Sequence, residues 1–424
     1  MISLTTMIRF TALILGSLYL VTTPLVALAE RFVLENPQDS VVGELRYTHA
    51  RKDDTLIDVA REFDLGYDQI VSANPGINRW IPGDGTRVTL PHSYILPGAT
   101  RKGLVLNIAD LRLYFYPTPR KGFSQEVYTY PVSIGRMDWR TPLGITRVTS
   151  KDRDPAWRPP KSIRIEHARD GDPLPEVIPG GSPDNPLGRF ALRLGIPTYL
   201  IHGVDERKAF GIGMRVTHGC IRMYPEDIEH LFGLVSVNTP VLLADEPIKI
   251  GQRDGRIFLA VHQPLDERED EEAPPLPRIS EAAVFNYLRT RIGPNASFDP
   301  ELVARIAEEG DGIPYEIGRG YLPTPKGPQT TQQVQVKAQA PAPKSDRPRK
   351  ALDVEYEEAL AKYLKDTPEP KSAPRSSEER PSESRSKEAS SLQREAREVP
   401  RRTPLAATNS DEDDRVRRYL EERY

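Results

Sequence analysis

The hydrophobic pattern changes character several times along this chain, and each change marks a boundary. Residues 10–29, FTALILGSLYLVTTPLVALA, form an uncharged, mostly apolar run behind Arg9. The run is almost as long as the roughly 20 residues that span a bilayer. Pro24 and the small-residue ending Ala27-Leu28-Ala29, directly before Glu30, instead match a cleaved export signal, so residues 1–29 are expected to be a signal peptide. From Glu44 to Pro91 the pattern predicts strand, helix, helix, strand. A strand-like start is followed by helical spacing at Leu56, Val59, Ala60 and Phe63 behind a cap at Asp54. A second short helix carries Ile70 and Val71, and a strand covers Arg87 to Leu90. From Gly103 onward the period shortens to two. LVLNI is a compact apolar run, and LRLYFYP sets Leu111, Leu113 and Phe115 against Arg112, Tyr114 and Tyr116, the alternation of a half-buried strand. EVYTYPVSIG, GRFALRLG, TYLIHG and TPVLLA continue the series between glycine and proline turns. The expectation is a mainly β domain of two packed sheets with one convincing helix, Pro225 to Phe232. In that helix Pro225 suits the first position, Glu226 and Asp227 complement the positive end, and Ile228, Leu231 and Phe232 form the buried face.

After Pro240 a last strand pattern, RIFLAVHQPL, precedes two helical patterns. Ser280 caps the one with Val284, Leu288 and Ile292, and Asp299-Pro300 opens the one with Leu302, Val303 and Ile306. Beyond Leu322 the chain turns rich in Pro, Ser, Lys, Arg and Glu and lacks the apolar residues for a packed core, so disorder is expected there. Two islands within it, VEYEEALAKYLKDT and DRVRRYLEERY, carry helical spacing and read as charge-rich transient helices or docking helices.

Composition sharpens the picture at two points. The net charge of −3 over 424 residues gives no reason to propose a nucleic-acid partner. More telling, an exported chain commonly relies on disulfides, and this one has a single cysteine, Cys220, which has no partner within the chain. A lone cysteine is usually a small buried hydrophobe. Its neighbours point elsewhere.

Cys220 lies in IHGVDERKAFGIGMRVTHGCIRM, residues 201–223, on a turn ahead of the predicted helix. A thiol with the ordinary pKa of roughly 8.5 is mostly neutral at pH 7 and needs a base to become a nucleophile. Two histidines are available: His218 two residues before the cysteine, and His202 at a strand end, to be brought in by folding. Spacing alone does not choose between them. Gly219 permits close backbone approach, the amides around Gly219 and Cys220 are candidate donors to the oxyanion of an acyl-transfer intermediate, and Arg222 offers a fixed charge for a carboxylate. A zinc site on His202, His218 and Cys220 lacks an evident fourth ligand, so no metal and no cofactor is expected.

These residues resemble the signature of the L,D-transpeptidase family, the YkuD-like catalytic domain: a His-Gly pair, then Ser/Thr-His-Gly-Cys followed by Arg. LVLNIADLRLYFYP, TPLGITRV (Thr141 to Val148) and SPDNPLG (Ser182 to Gly188) support the match, which runs from Gly103 to about Ala244. The resemblance implies Cys220 as nucleophile, His202 as proton donor and acceptor, His218, Gly203 and Gly219 in support, and Arg222 holding substrate. It also implies a ping-pong acyl transfer from a peptidoglycan tetrapeptide stem, releasing D-alanine, and acylation of the thiol by carbapenems. The acceptor is then a second stem peptide, giving a 3,3 cross-link, or an envelope protein, such as a lipoprotein or outer-membrane protein, tethered to the wall. A carboxypeptidase or endopeptidase using water, and a wall-binding protein without activity, are the alternatives.

Residues 44–92 resemble the LysM domain in DTL, NPGIN and IPGDGTRVTLP, which implies a glycan-binding module on peptidoglycan. The expected organisation is a signal peptide (1–29), the LysM module (44–92), a YkuD-like β-sandwich catalytic domain (100–246), a short α/β extension (247–322) and a disordered tail (323–424), acting in the periplasm.

Overall fold

The computed structural model describes residues 29–135, 141–263, 278–292 and 297–323. The expected signal peptide and tail, apart from Ala29 and Pro323, and the tail's two helical islands lie outside the described residues.

The chain begins with β1 (Glu30–Leu34), then enters a small α+β unit. Here β2 (Val41–Gly43) pairs with β5 (Ser93–Ile95), and β3 (Arg46–His49) with β4 (Arg87–Leu90); α1 (Leu56–Glu62) and α2 (Tyr67–Ser72) lie between. Leu56, Val59, Ala60, Leu65, Ile70, Val88 and Leu90 form its core, so the strand, helix, helix, strand order and the predicted apolar face are both present. The cap of α1 differs by one residue. Thr55, not Asp54, accepts from the Asp58 amide, and the Asp58 carboxylate takes the Thr55 amide in return. Asp58 three positions on makes this reciprocal box available only to Thr55. Asp54 instead accepts from the Arg51 amide in the preceding turn.

The mainly β expectation holds for the next region. Its strands are β6 (Gly103–Asn107), β7 (Arg112–Tyr116), β8 (Gln125–Pro131), β9 (Ile134–Gly135), β10 (Gly144–Arg153), β11 (Phe190–Leu194), β12 (Leu200–His202), β13 (Arg215–Thr217), β14 (Ile221–Arg222) and β15 (Pro240–Ala244). Nine strands join in the order β1-β8-β7-β6-β15-β10-β11-β12-β14, while β9 and β13 form a separate parallel pair. The two halves of this sheet meet on β10. Residues 144–147 of β10 pair with β15 and residues 148–153 with β11, with a register shift between Val148 and Ser150. Such an irregularity bends and twists a strand. Leu104, Leu106 and Leu113 from one half, Leu192, Ile201 and Ile221 from the other, and Ile228 and Leu231 from α4 (Pro225–Leu234) are all buried in one cluster. Each such side chain contributes roughly 1.5–3 kcal/mol on burial. A further helix, α3 (Lys161–Arg169), lies between β10 and β11. Of its apolar residues, Ile163, Ile165 and Ala168, only the last two keep helical spacing, and Pro160 at its start makes no side-chain cap, which is why the sequence pattern does not announce it.

The reading of β7 as half-buried is overturned. Arg112, Tyr114 and Tyr116 are as buried as Leu113 and Phe115. Their face is covered by Leu34, Val42, Tyr94 and Leu96, from β1 and the strands bordering the small unit. Arg112 stays hydrogen-bonded there to Gln69 of α2 and to Thr129, with its guanidinium over the Tyr94 ring. At the same seam Asp64, after α1, and Asp227 of α4 are both buried, and each carboxylate acts on the other. Burial pushes the Asp64 carboxyl up to about 7 and raises that of Asp227 well above the ordinary range.

The C-terminal unit is a four-stranded sheet, β16 (Ile248–Arg253), β17 (Arg256–Val261), β19 (Tyr315–Arg319) and β18 (Ser297–Phe298) in that order, carrying α5 (Glu281–Arg291) and α6 (Pro300–Glu309). Both helices start at the caps read from sequence: Ser280 accepts from the Ala283 amide, and Asp299 from those of Glu301 and Leu302.

Candidate active site

Five neighbouring pieces of backbone build the site. β12 ends at His202 and runs parallel to β14, so that Ile201 lies opposite Ile221 and His202 opposite Arg222. The Met223 amide also donates to the His202 carbonyl. The chain between these strands holds a 3₁₀ turn, Glu206–Gly211, then β13, then the turn Thr217-His218-Gly219-Cys220. Folding thus brings His202 beside the cysteine-bearing turn across the intervening loop.

The turn has defined hydrogen bonds. Gly219 adopts φ +100°, a left-handed conformation open to glycine. The Thr217 hydroxyl accepts from the Gly219 amide at 3.1 Å and donates to the Cys220 carbonyl at 2.6 Å. Buried Thr141 accepts from the Gly135 amide at 3.1 Å and donates to the Gly219 carbonyl at 3.0 Å. The Gly219 amide is therefore committed inside the turn, which directs attention to the Cys220 amide as the oxyanion donor. Gly203 likewise does more than make room: its carbonyl accepts from His202 Nδ1 at 2.6 Å. With Nδ1 carrying the proton, the lone pair of the imidazole lies on Nε2, the arrangement of a general base.

Electrostatics separates the groups further. His202 is buried, and burial, assisted by the nearby Arg222 charge, lowers its pKa to about 3. It is a neutral imidazole at pH 7. Cys220 is half-buried, with Sγ 3.7 Å from the Thr198 carbonyl. Burial pushes its thiol up, while the Leu200 amide and the Arg222 charge pull it back down. Arg222 thus acts on both partners, opposing an imidazolium and favouring a thiolate.

His218 has a different setting. It is half-buried, and its Nε2 lies 3.1 Å from the Glu166 carboxylate of α3. Glu166 escaped the sequence reading because its helix did; only its acidity, with no spacing relation to His218, offered a signal.

The model of the L,D-transpeptidase catalytic domain matches residues 101–243. YcfS of Escherichia coli K12, a probable L,D-transpeptidase, is 34% identical over 305 residues, which cover 70% of this chain and 92% of YcfS. The chain belongs to the L,D-transpeptidase family. YbiS of the same organism is 41% identical over 212 residues, covering 50% of this chain and 67% of the relative, and ErfK/SrfK is 37% identical over 267 residues, covering 62% and 81%. The protein is accordingly a cysteine acyltransferase of peptidoglycan. As an L,D-transpeptidase it needs a nucleophile, a base and an oxyanion donor, and residues 198–223 together with Thr141 present groups of each kind.

Proposed function

We propose that Cys220 carries the acyl group and that His202 moves the protons. The observation behind this reading is the bond from His202 Nδ1 to the Gly203 carbonyl, which leaves Nε2 as acceptor on a buried, neutral ring. In the first half-reaction the thiol proton passes to His202 as sulfur attacks the stem-peptide carbonyl. The developing oxyanion takes the Cys220 amide as donor. Collapse breaks the bond to the terminal D-alanine, and the imidazolium returns its proton to the departing amine. Burial and Arg222 make that imidazolium a strong acid, which favours delivery. An acceptor amine then attacks the thioester and restores the thiol.

Arg222 holds a substrate carboxylate, and His218 supports the turn from the other side. The acceptor is a stem peptide or a lysine of an envelope protein, either a lipoprotein or an outer-membrane protein. Residues 44–92 serve as a LysM module on the glycan, and the apolar run of residues 10–29 exports the chain to the periplasm. The test is intact mass after incubation with disaccharide tetrapeptides. An adduct short of D-alanine on the wild type, absent from Cys220→Ala, is expected; an adduct on both proteins, or turnover by Cys220→Ala, overturns the assignment. Cross-linked dimers among the products indicate an amine acceptor, and free tripeptide alone indicates water.

A further inference from the structure

The small unit does not stand apart from the catalytic region. Its second helix begins at Gly66, which has no side chain to cap it, and the first two helical amides find their acceptors elsewhere. Tyr67 N donates to the Ile212 carbonyl at 3.0 Å and Asp68 N to that of Gly213 at 3.1 Å. Both acceptors belong to the loop between His202 and Cys220. The contact is as close as backbone allows. A Cβ on Gly66 would lie 2.9 Å from Gly213 Cα, and one on Gly213, at φ +90°, would lie 2.2 Å from Tyr67 N. Beside it Met214 is buried against Ile57 and Tyr67 of the small unit, four residues before His218.

A second set of contacts holds the chain after the cysteine. Tyr224 donates its hydroxyl to the Leu65 carbonyl at 3.0 Å. The Arg61 guanidinium lies over the Tyr224 ring at 4.2 Å and grips both oxygens of Glu226, one of them at 2.8 Å. Residues 61–68 therefore hold the catalytic chain on both sides of Cys220, at 212–214 and at 224–226.

We propose that the small unit is a positioning element of the active site, which sets the turn bearing Cys220 relative to His202, in addition to any role as a wall anchor. A simple tether predicts that damage to the seam affects only polymeric substrates. A positioning element predicts slower chemistry on a soluble donor that carries no glycan. Displacing reacting groups by about 1 Å can cost about 10²-fold in rate.

The decisive variant is Gly66→Ala in the full mature chain, assayed with a glycan-free tetrapeptide and a soluble amine acceptor, alongside iodoacetamide alkylation of Cys220. We expect kcat to fall roughly tenfold or more with KM within about twofold, and the alkylation rate to change with it. Unchanged kcat and alkylation in a folded Gly66→Ala protein overturn the proposal. If that variant loses its cooperative melt, Glu226→Gln decides instead: it keeps the shape but removes the charge gripped by Arg61. A fall in kcat of about threefold at constant KM supports positioning, and wild-type kcat rejects it. Thioester formation by wild-type protein is measured separately, so failure of the Cys220 assignment is distinguishable from failure of this one.

Discussion

The two histidines near Cys220 occupy opposite kinds of environment. His202 sits on a sheet strand, buried, with one ring nitrogen fixed by its neighbour's carbonyl and its charged form disfavoured by burial and Arg222. His218 sits on the turn itself, half-buried, facing a carboxylate from a helix inserted between two strands. A proton-shuttling group benefits from the first setting: a fixed tautomer and an imidazolium that readily returns its proton. The second setting suits a side chain that braces a loop. On the proposed assignment, proximity in sequence to Cys220 is a poor guide to role, and backbone hydrogen bonding is a better one.

Substitutions test this contrast most strongly at the sheet. His202→Ala is expected to lower kcat/KM by roughly 10³- to 10⁴-fold, the upper range for a general acid–base group, with a melting temperature that shows the fold intact. His218→Ala is expected to cost about 10- to 100-fold, and Glu166→Gln less, as for groups that orient others. Equal losses at both histidines, measured by steady-state kinetics, would erase the distinction.

The pH profile sharpens it. With His202 as the proposed base, activity is expected to fall as pH drops through its pKa, because protonation removes the acceptor. That pKa is lowered to about 3, so kcat/KM is expected to stay level well below pH 6.5, to the limit of acid stability. An acid limb near 6.5 would point to an ordinary solvated imidazole, as base or as essential partner.

The smallest effects lie in the supporting structure. Asp64 and Asp227 are both buried, and burial raises the folded pKa of Asp64 to about 7 from 3.8. The folded state then holds a proton that the unfolded chain has released, so stability is greatest at low pH and declines as pH rises from about 4 to about 7. Asp64→Asn removes the Asp64 share of that decline and leaves the share of buried Asp227, visible as a flatter but not level dependence of Tm on pH; asparagine tolerates the φ of +53° at this position. Thr141→Val strips a donor and an acceptor from the turn and is expected to cost about 1–3 kcal/mol in denaturant unfolding for each polar group left unpaired, with a modest loss of rate.

Much of the candidate site was legible because its residues lie within one stretch of chain, from His202 to Arg222. Strand ends, turn glycines and a thiol beside histidines are local signals. The capped starts of α5 and α6 were readable for the same reason. What escaped depends on distant packing. The alternation in Arg112–Tyr116 is real, but it describes polarity rather than exposure, and a second layer of structure covers the polar face. The link between Glu166 and His218 crosses 52 residues with no pattern to announce it. The Gly66–Gly213 approach is equally silent, since each glycine reads as an ordinary turn until the other is placed against it.

The position of β15 has a consequence for biogenesis. Pro240–Ala244 lies between β6 and β10 and is the strand through which β6 reaches β10, although it comes last of the nine in the chain. A chain emerging N-terminus first carries His202 and Cys220 into solution before that strand arrives. Closure of the sheet waits on the segment beyond residue 240, and long-range pairing of this kind is slow to form. The turn bearing Cys220 is therefore assembled only after residue 244 has emerged, and a partly emerged chain has no formed thiol site to act on whatever it meets.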